Sequence, residues 1–321
     1  MITYHMLVTL LVHSVNNQKS HSQPDHVCQD LQGIKLSFSP VFAPLQQPLI
    51  LNMAQGIMGD PPQAFLHTLA SADGSATYIA PNGGFKIVAG VNYPVEVPYR
   101  SDEVSESTFL EVNLRPHNGV SMVKERHVED LIKRTIQTIV LGEETPRTML
   151  QITLQVVSVE TDETLPGGVK GGGQGETYLD ILASSINAAV LGCLDAGVQM
   201  RAVAGAALVA IGPDQQLVVN PNVHQRKMSN SLHVFCFNSE GKVLLMESEG
   251  RFTMSEWKEA EQAARSAVLG HNDPSNISKQ NGDVSMEGDD TSRNSVTCVL
   301  DVVRKAMEAR VIKDKNWRQE S

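Results

Sequence analysis

Alternating apolar and polar positions predict a series of β-strands that begins near Phe65. Two strands joined by a turn at residues 81–84 are predicted from the stretch ADGSATYIAPNGGFKIVAGVNYPVEV, because Pro-Asn-Gly-Gly between alternating runs favours a hairpin. A third strand is predicted from STFLEVNLRP, where Phe109 and Glu111 alternate with their apolar neighbours. A fourth covers residues 147–159, where apolar positions alternate with glutamine and threonine.

Apolar residues spaced three and four apart predict helices. The four predicted helices cover residues 127–141, 181–196, 255–269 and 296–312. A buried strand is predicted over residues 202–211, and further strands over 217–220, 232–237 and 242–248. The second helix is nearly all apolar, which predicts burial on most sides. Thr253 and Glu256 form the pattern of a capping box and predict the start of the third helix.

This order of elements predicts an α/β (α+β) fold with mixed sheets and helices rather than a doubly wound sheet. The domain is predicted over residues 63–270, with a C-terminal helix within residues 295–313 packing on it. Segments without periodicity are predicted to be a disordered extension over residues 1–62, a glycine-rich insertion over about 163–176, a disordered acidic insertion over 271–294 and a tail over 314–321. The glycine-rich insertion is not a phosphate-binding P-loop, because Gly171 follows Lys170 where Ser or Thr is needed.

Composition narrows the classes of partner. Of the 321 residues 41% are hydrophobic and the net charge is −10, so no global basic field attracts nucleic acid and RNA contact requires a local patch or an assembly. The four cysteines lack C-x-x-C spacing, which argues against zinc. Cys193 and Cys236 are predicted to be free core thiols. We expect no metal and no cofactor. We also expect no membrane partner, since no apolar stretch approaches the ~20 residues that span a bilayer.

The stretch NPNVHQRKMSNS, residues 220–231, carries the candidate chemistry. It holds His224, Arg226, Lys227 and Asn230 and no carboxylate, so a pocket there would be cationic and would not hold a hard metal ion. In one interpretation His224 is a general base and the two cations clamp phosphates, with Asp180 near the start of the second helix and Asp214 and Glu247 nearby in sequence. In the other, which we favour, the stretch is an ordinary solvated loop.

Several phrases in one order resemble the ribonuclease PH family. These are ADGSAT, AGVNYPVEV, FLEVNLRP, IVLGEETPRT, LQVVS, INAAVLGCLDAGVQMRA and KVLLMES, spread over about residues 65–270. The resemblance implies a ribonuclease PH fold of the ribosomal-S5-domain-2-like kind. It also implies membership of a ring of related subunits, as in the RNA exosome.

The resemblance also has implications for catalysis. Active relatives carry two aspartates in the 220–231 region, and these positions correspond here to His224 and Asn230. The relatives' phosphate-binding arginine and threonine correspond to Leu182 and Ala183. Loss of one such group commonly lowers the rate on the order of 10³-fold. We therefore expect a non-catalytic structural subunit rather than an enzyme, and the alternative is an active phosphate-dependent 3′-to-5′ exoribonuclease.

The implied partners are other ribonuclease PH-like ring subunits, cap subunits and RNA, the last within the assembly. Arg115, Lys124 and Arg126 are candidates for the RNA path, because relatives carry an arginine facing RNA at the start of this helix and a helix N-terminus favours phosphate. Glu125 weakens this basic cluster, and the alternative is a solvated basic edge. The implied process is 3′-to-5′ RNA processing and degradation, including rRNA maturation, in the nucleus, nucleolus and cytoplasm.

Overall fold

The computed structural model describes residues 61–159, 177–270 and 298–316. The glycine-rich insertion, the acidic insertion and nearly all of the predicted N-terminal extension lie outside these ranges, as do the last residues of the tail. Within the described residues no helix is both long and apolar enough to cross a membrane.

The first sheet has five strands in the order β1-β2-β3-β5-β4. The strands are β1 (Gln63–Leu66), β2 (Gly74–Ile79), β3 (Lys86–Glu96), β4 (Phe109–Arg115) and β5 (Thr148–Ser158). All neighbours are antiparallel except β4 and β5, which are parallel. The predicted hairpin of β2 and β3 is confirmed. The pattern did not define β1 as a strand, because it has only four residues and alternates between half-buried and exposed at the edge of the sheet.

The second sheet has four antiparallel strands in the order β7-β6-β8-β9. The strands are β6 (Ala204–Ile211), β7 (Leu217–Val219), β8 (Ser231–Asn238) and β9 (Val243–Gly250). Every residue of β6 and β8 is buried. Helices cover both faces of these strands, and for that reason their sequences are almost continuously apolar instead of alternating.

Five helices complete the described residues. They are α1 (Val123–Ile139), α2 (Leu179–Asp195), α3 (Val223–Met228), α4 (Met254–Leu269) and α5 (Val299–Asp314). The capping box predicted for α4 is confirmed, because the Thr253 hydroxyl accepts from the Glu256 amide at 3.4 Å and the Glu256 carboxylate accepts from the Thr253 amide at 2.7 Å.

Two helix predictions need correction. The first helix begins four residues before the predicted start, because the Glu125 carboxylate accepts from the Met122 amide at 2.7 Å and closes an earlier first turn. It ends before Leu141, since Val140 turns into an extended conformation and bridges to Met200. The 220–231 stretch is not a loop throughout: it contains α3, whose first turn is closed by the Gln225 side chain accepting from the Asn222 amide at 2.9 Å.

The central element is α2, which packs against β2 and β3 of the first sheet and against β6 and β8 of the second. Every residue from Leu179 to Cys193 is buried. A Cβ atom at Gly192 would lie 2.8 Å from a methyl carbon of Val91, so the close contact with the first sheet requires glycine there. The prediction of a helix buried on most sides is confirmed.

One buried amide on α2 completes the backbone hydrogen bonding of the second sheet. The Asn187 side chain donates to the Ala206 carbonyl at 2.9 Å and accepts from the Ala206 amide at 2.8 Å. The backbone amide and carbonyl of a residue in an antiparallel strand point towards the same edge of that strand. On the edge of β6 to which these groups of Ala206 point, β7 pairs only with residues 209–211. Asn187 therefore takes the place of a missing strand.

A buried carboxylate near the end of α2 anchors the C-terminal helix. Asp195, whose side chain is 2% exposed, accepts from the Ser75 amide at 2.8 Å and lies 3.5 Å from Nε of Arg310 on α5. The imidazole of His67 lies 3.9 Å from the same carboxylate. The helix α5 packs against β1, β6 and α4. It begins three residues after the predicted start, and residues 296 and 297 lie outside the described ranges.

Both predicted core thiols are confirmed. Cys193 on α2 and Cys236 on β8 are free and fully buried. Burial raises the pKa of each to about 12, so neither forms a thiolate near neutral pH. They contribute to the core as small apolar side chains.

Replacing Asn187 tests its role in the second sheet. In Asn187→Ala both backbone groups of Ala206 lose their partner in the core, and we expect the free energy of unfolding to fall by about 2–4 kcal/mol. Equilibrium urea denaturation measures the change. The half-buried Asn92, which donates to the Gln151 side chain at 3.4 Å, gives the control variant Asn92→Ala, with an expected loss below about 1 kcal/mol. Equal losses in the two variants would contradict the assigned role.

A buried imidazole gives the fold a dependence on pH. His233 on β8 is fully buried, and its ring nitrogens lie 3.0 Å from the Ser231 hydroxyl and 2.8 Å from the Ser248 hydroxyl. The ring of Phe252 packs edge-on against it at 4.7 Å between centroids. Burial lowers the pKa of His233 below its ordinary value of 6.5, and the nearby Glu256 carboxylate offsets part of this effect.

The sign of the pH effect follows from proton uptake. Below pH 6.5 the unfolded chain binds a proton at His233 that the folded chain takes up only at lower pH, so the free energy of unfolding falls on acidification. We expect a smaller loss between pH 7.5 and pH 5.5 in His233→Gln than in the unsubstituted chain, measured by urea denaturation at both pH values. Exposed His117 gives the control His117→Gln. The same slope in all three proteins would disprove the effect.

Candidate functional site

The side chains of residues 220–231 differ in how exposed they are. His224 and Asn230 are exposed, as expected of a solvated segment. The side chain of Arg226, by contrast, is only 9% exposed. The prediction that the whole stretch is solvated is therefore wrong for Arg226, because α3 turns this one side chain inward.

Arg226 meets a buried carboxylate from the first turn of α2. Its Nε atom lies 3.7 Å from Oδ1 of Asp180, whose side chain is 5% exposed. The guanidinium carbon lies 5.2 Å from the centroid of the Phe85 ring, which adds a cation–π contact. The N-terminal end of a helix favours an anion, so the helix as well as the arginine stabilises the charge of Asp180. Two charges this deeply buried are tolerated because they compensate each other.

A small cavity lies beside this ion pair. Its volume is about 30 Å³, and it is lined chiefly by Tyr78, Phe85, Asp180, Asn187, Asn220 and Arg226. Such a volume holds about one or two water molecules. The lining offers hydroxyl and amide groups and one compensated cation, which suits a structural water better than a phosphate with a hydrated metal ion.

The face of α2 on which a side chain lies decides whether it reaches this cavity. Asp180, Ala183, Ser184 and Asn187 follow helical spacing and line it. Leu182 lies at another angle on the helix and is fully buried in the main core. Of the four positions that the sequence resemblance aligned with catalytic groups, namely Leu182, Ala183, His224 and Asn230, only Ala183 lines the cavity.

Other sequence candidates also lie apart from the cavity. The Tyr178 hydroxyl donates to the Glu247 carboxylate at 3.3 Å outside it, and burial followed by the charge of Glu247 raises the pKa of Tyr178. Asp214 lies in an exposed turn. Inside the cavity, burial raises the pKa of Tyr78 to about 12, against a smaller effect of its hydrogen bond with Asn187. The residues that the structure describes contain no group of three or more His, Cys, Asp or Glu that could hold a metal ion.

Sequence reasoning missed the residues that define the site. It did not assign a role to Phe85 or Asn187, and it did not pair Arg226 with Asp180. One signal was present: Asp180, Ser184 and Asn187 are polar and recur at helical spacing in an otherwise apolar helix. Such a polar line on a buried helix indicates a buried polar contact.

The three basic RNA-path candidates lie where the end of β4 meets the start of α1. The Leu114 amide donates to the Glu129 carboxylate at 2.7 Å, which fixes this junction. Arg126 is 67% exposed, and its Nη1 atom lies 3.0 Å from the other oxygen of Glu129. Arg115 and Lys124 are exposed as well. The junction is accessible, but a carboxylate compensates its central cation.

Comparisons with known proteins add independent information. Residues 63–199 match domain 1 of the 3′ exoribonuclease family, and residues 203–267 match domain 2. The chain is similar to exosome complex component RRP46 of Saccharomyces cerevisiae, with 30% identity over 197 residues, 59% of this chain and 82% of the yeast protein. It is 27% identical over 172 residues to the exosome complex exonuclease RRP46 homolog of Arabidopsis thaliana, 53% of this chain and 63% of that protein.

Solved structures show the same fold. The crystal structure of rice (Oryza sativa) Rrp46 superposes with a TM-score of 0.55 at 22% sequence identity, and the match covers 69% of this chain and 92% of the rice chain.

Proposed function

We propose, on the premise that this chain belongs to the RNase PH, or 3′ exoribonuclease, family, that it is a non-catalytic structural subunit of an RNA exosome ring. The family and the ribonuclease PH fold predicted from the sequence phrases are confirmed. Its role would be architectural: it frames a channel for RNA that other subunits process from 3′ to 5′, including rRNA precursors.

The observation that carries the non-catalytic role is the closed state of the candidate site. Arg226 lines the same cavity as Ala183, one of the positions that the resemblance aligned with the phosphate-binding groups of relatives, and Asp180 compensates its charge at 3.7 Å. The remaining space of about 30 Å³ leaves no room for phosphate beside a metal ion. His224 and Asn230, at the aspartate positions of relatives, are exposed and carry no carboxylate.

The proposed partners are other ribonuclease PH-like ring subunits and cap subunits. The yeast relative is named an exosome complex component, and the Arabidopsis relative is named an exosome complex exonuclease homolog. Edge strands such as β1 and β9 offer backbone groups that a neighbouring chain can pair with. Exposed apolar side chains lie on both, with Phe65 53% and Met246 57% exposed. We place the protein in the nucleus, nucleolus and cytoplasm, with residues 63–270 as the ring-forming domain.

RNA contact by this chain would depend on the assembly. Arg115, Lys124 and Arg126 are the proposed contacts, since they are exposed at one junction. Glu129 compensates Arg126 at 3.0 Å, and the net charge of the chain is −10. Both facts predict weak affinity for RNA until neighbouring subunits add further cations.

An active phosphate-dependent exoribonuclease is the second candidate. Two observations favour it. A buried arginine lines the same cavity as Ala183, and the Arabidopsis relative is named as an exonuclease. This candidate requires the pair of Arg226 and Asp180 to open and admit phosphate.

A phosphorolysis assay separates the two candidates. The full-length chain is incubated with uniformly labelled single-stranded RNA, inorganic phosphate and Mg²⁺, and labelled nucleoside diphosphates are measured. We expect release no greater than that of an Arg226→Met control, because Asp180 already compensates Arg226 and the described lining of the cavity offers no further cation for phosphate. Steady release that is lost in both Arg226→Met and His224→Ala would establish the active enzyme.

The assembly is tested separately from the chemistry. Affinity purification of the tagged full-length chain from cells should recover other subunits of the 3′ exoribonuclease family in near-stoichiometric amounts, and the isolated chain should self-associate through its exposed apolar edges. Monomeric behaviour at high concentration, together with recovery of no related subunit, would contradict the structural role.

A further inference from the structure

A second and larger cavity lies at the opposite end of the β4–α1 unit from the basic junction. Its volume is about 290 Å³, near the lower limit of about 300 Å³ for ligand pockets. Leu110 and Leu150, which are almost fully buried, form its apolar floor. Gln137, Glu143 and Arg201 form its polar rim. A single bulky side chain fits a pocket of this size and lining.

Backbone hydrogen bonds hold the walls in place. The Arg201 amide donates to the Ile139 carbonyl at 2.7 Å, and the Leu141 amide donates to the Gln199 carbonyl at 3.0 Å. On the other wall the Thr108 hydroxyl donates to the Gly142 carbonyl at 3.1 Å. The pocket is therefore formed before any ligand binds, which lowers the entropic cost of binding.

The surface around the mouth is acidic. Five exposed carboxylates lie in residues 102–106 and 143–144, namely Asp102, Glu103, Glu106, Glu143 and Glu144. Three exposed arginines lie in the same region, namely Arg100, Arg147 and Arg201, and Arg147 lies 3.6 Å from Glu103. Five carboxylates against three arginines leave an excess of negative charge next to the pocket, which attracts a cationic partner and repels phosphate groups.

Two of these carboxylates follow the C-terminal end of α1 in the sequence. The helix ends at Ile139 with no basic residue in its last turn, and Glu143 and Glu144 follow directly. The C-terminal end of a helix already carries partial negative charge, so carboxylates there are unfavourable. A bound cation would relieve this repulsion.

Exposed apolar side chains extend the pocket. Val104 is 40% exposed, and its carbonyl, like that of Ser107 on the pocket wall, accepts from the Arg147 amide. Tyr99 is 68% exposed on the preceding turn, where its carbonyl accepts from the Asp102 amide. Apolar and acidic side chains are therefore interleaved in the exposed segment that leads to the pocket wall at Ser107.

From these observations we infer that the cavity binds a protein segment in which one bulky apolar residue is flanked by lysine or arginine. The apolar residue enters the pocket over Leu110 and Leu150, and the flanking cations meet the acidic rim. An anchor in a preformed pocket surrounded by complementary charge is the usual source of affinity for such segments. This inference concerns a surface remote from Arg226 and does not depend on whether the chain is catalytic.

The test uses the full-length chain and fluorescein-labelled nine-residue peptides in fluorescence anisotropy. The probe has a central phenylalanine with two lysines on each side, and two comparison peptides replace the lysines by glutamates or the phenylalanine by glycine. We expect the probe to bind about tenfold more tightly than either comparison peptide. Binding of all three with equal affinity, or no binding of the probe, would overturn the inference.

Variants locate the binding. Gln137→Trp fills the mouth of the pocket and should weaken binding of the probe about tenfold, whereas Gln262→Trp, at an exposed position of α4, should bind as the unsubstituted chain does. The double variant of Glu106→Lys and Glu143→Lys should remove the preference for lysine over glutamate. Exposed Glu308 on α5 gives the control Glu308→Lys, which should leave it unchanged. Unaltered thermal unfolding of each variant shows that the fold persists.

Two results would assign the surface differently. Equal weakening by Glu308→Lys and by the double variant would reduce the effect to net charge and overturn the inference. Anisotropy with a labelled single-stranded oligouridine provides the second arm. Binding of that RNA that is lost in Arg201→Ala, with no binding of the lysine probe, would make the cavity a nucleic-acid site and refute the assignment to a protein segment.

Discussion

The burial of α2 between two sheets is the constraint on which the rest of the structure depends. A helix covered on both sides leaves no face for water, so its residues are apolar or small, and Gly192 allows the first sheet to approach it closely. The exceptions are polar groups with a defined partner. Asn187 is the clearest, because the second sheet lacks a strand beside Ala206 and the amide supplies both missing hydrogen bonds.

The same helix determines what the candidate site can do. Its line of polar residues faces α3 and the hairpin of the first sheet, and Asp180 at the start of that line needs a positive partner because it is buried. Arg226 is that partner. A cation that in another context would attract a phosphate is here part of the packing between α2 and α3. The closed site is thus a consequence of how the two sheets are joined.

The β4–α1 unit separates two surfaces of different chemistry. Basic residues lie at the end of β4 and the start of α1, and Glu129 both fixes that junction and compensates Arg126. At the other end an apolar pocket carries Glu143 and Arg201 on its rim, and further carboxylates lie in the segments next to it. Both surfaces are preserved by elements that pack against α2 or the first sheet, so an assembly could use them independently.

The sequence by itself determined the elements whose signals are local. The hairpin of β2 and β3, the apolar α2 and the capping box of α4 follow from turn residues, periodicity and a four-residue motif, and the lack of a carboxylate in residues 220–231 is plain without a structure. Only the tertiary structure decided that α3 turns Arg226 towards Asp180. It alone brought together Gln137, Glu143 and Arg201 around one cavity. These relations join residues far apart in the chain, and side-chain direction there is set by packing against other elements, which local periodicity does not encode.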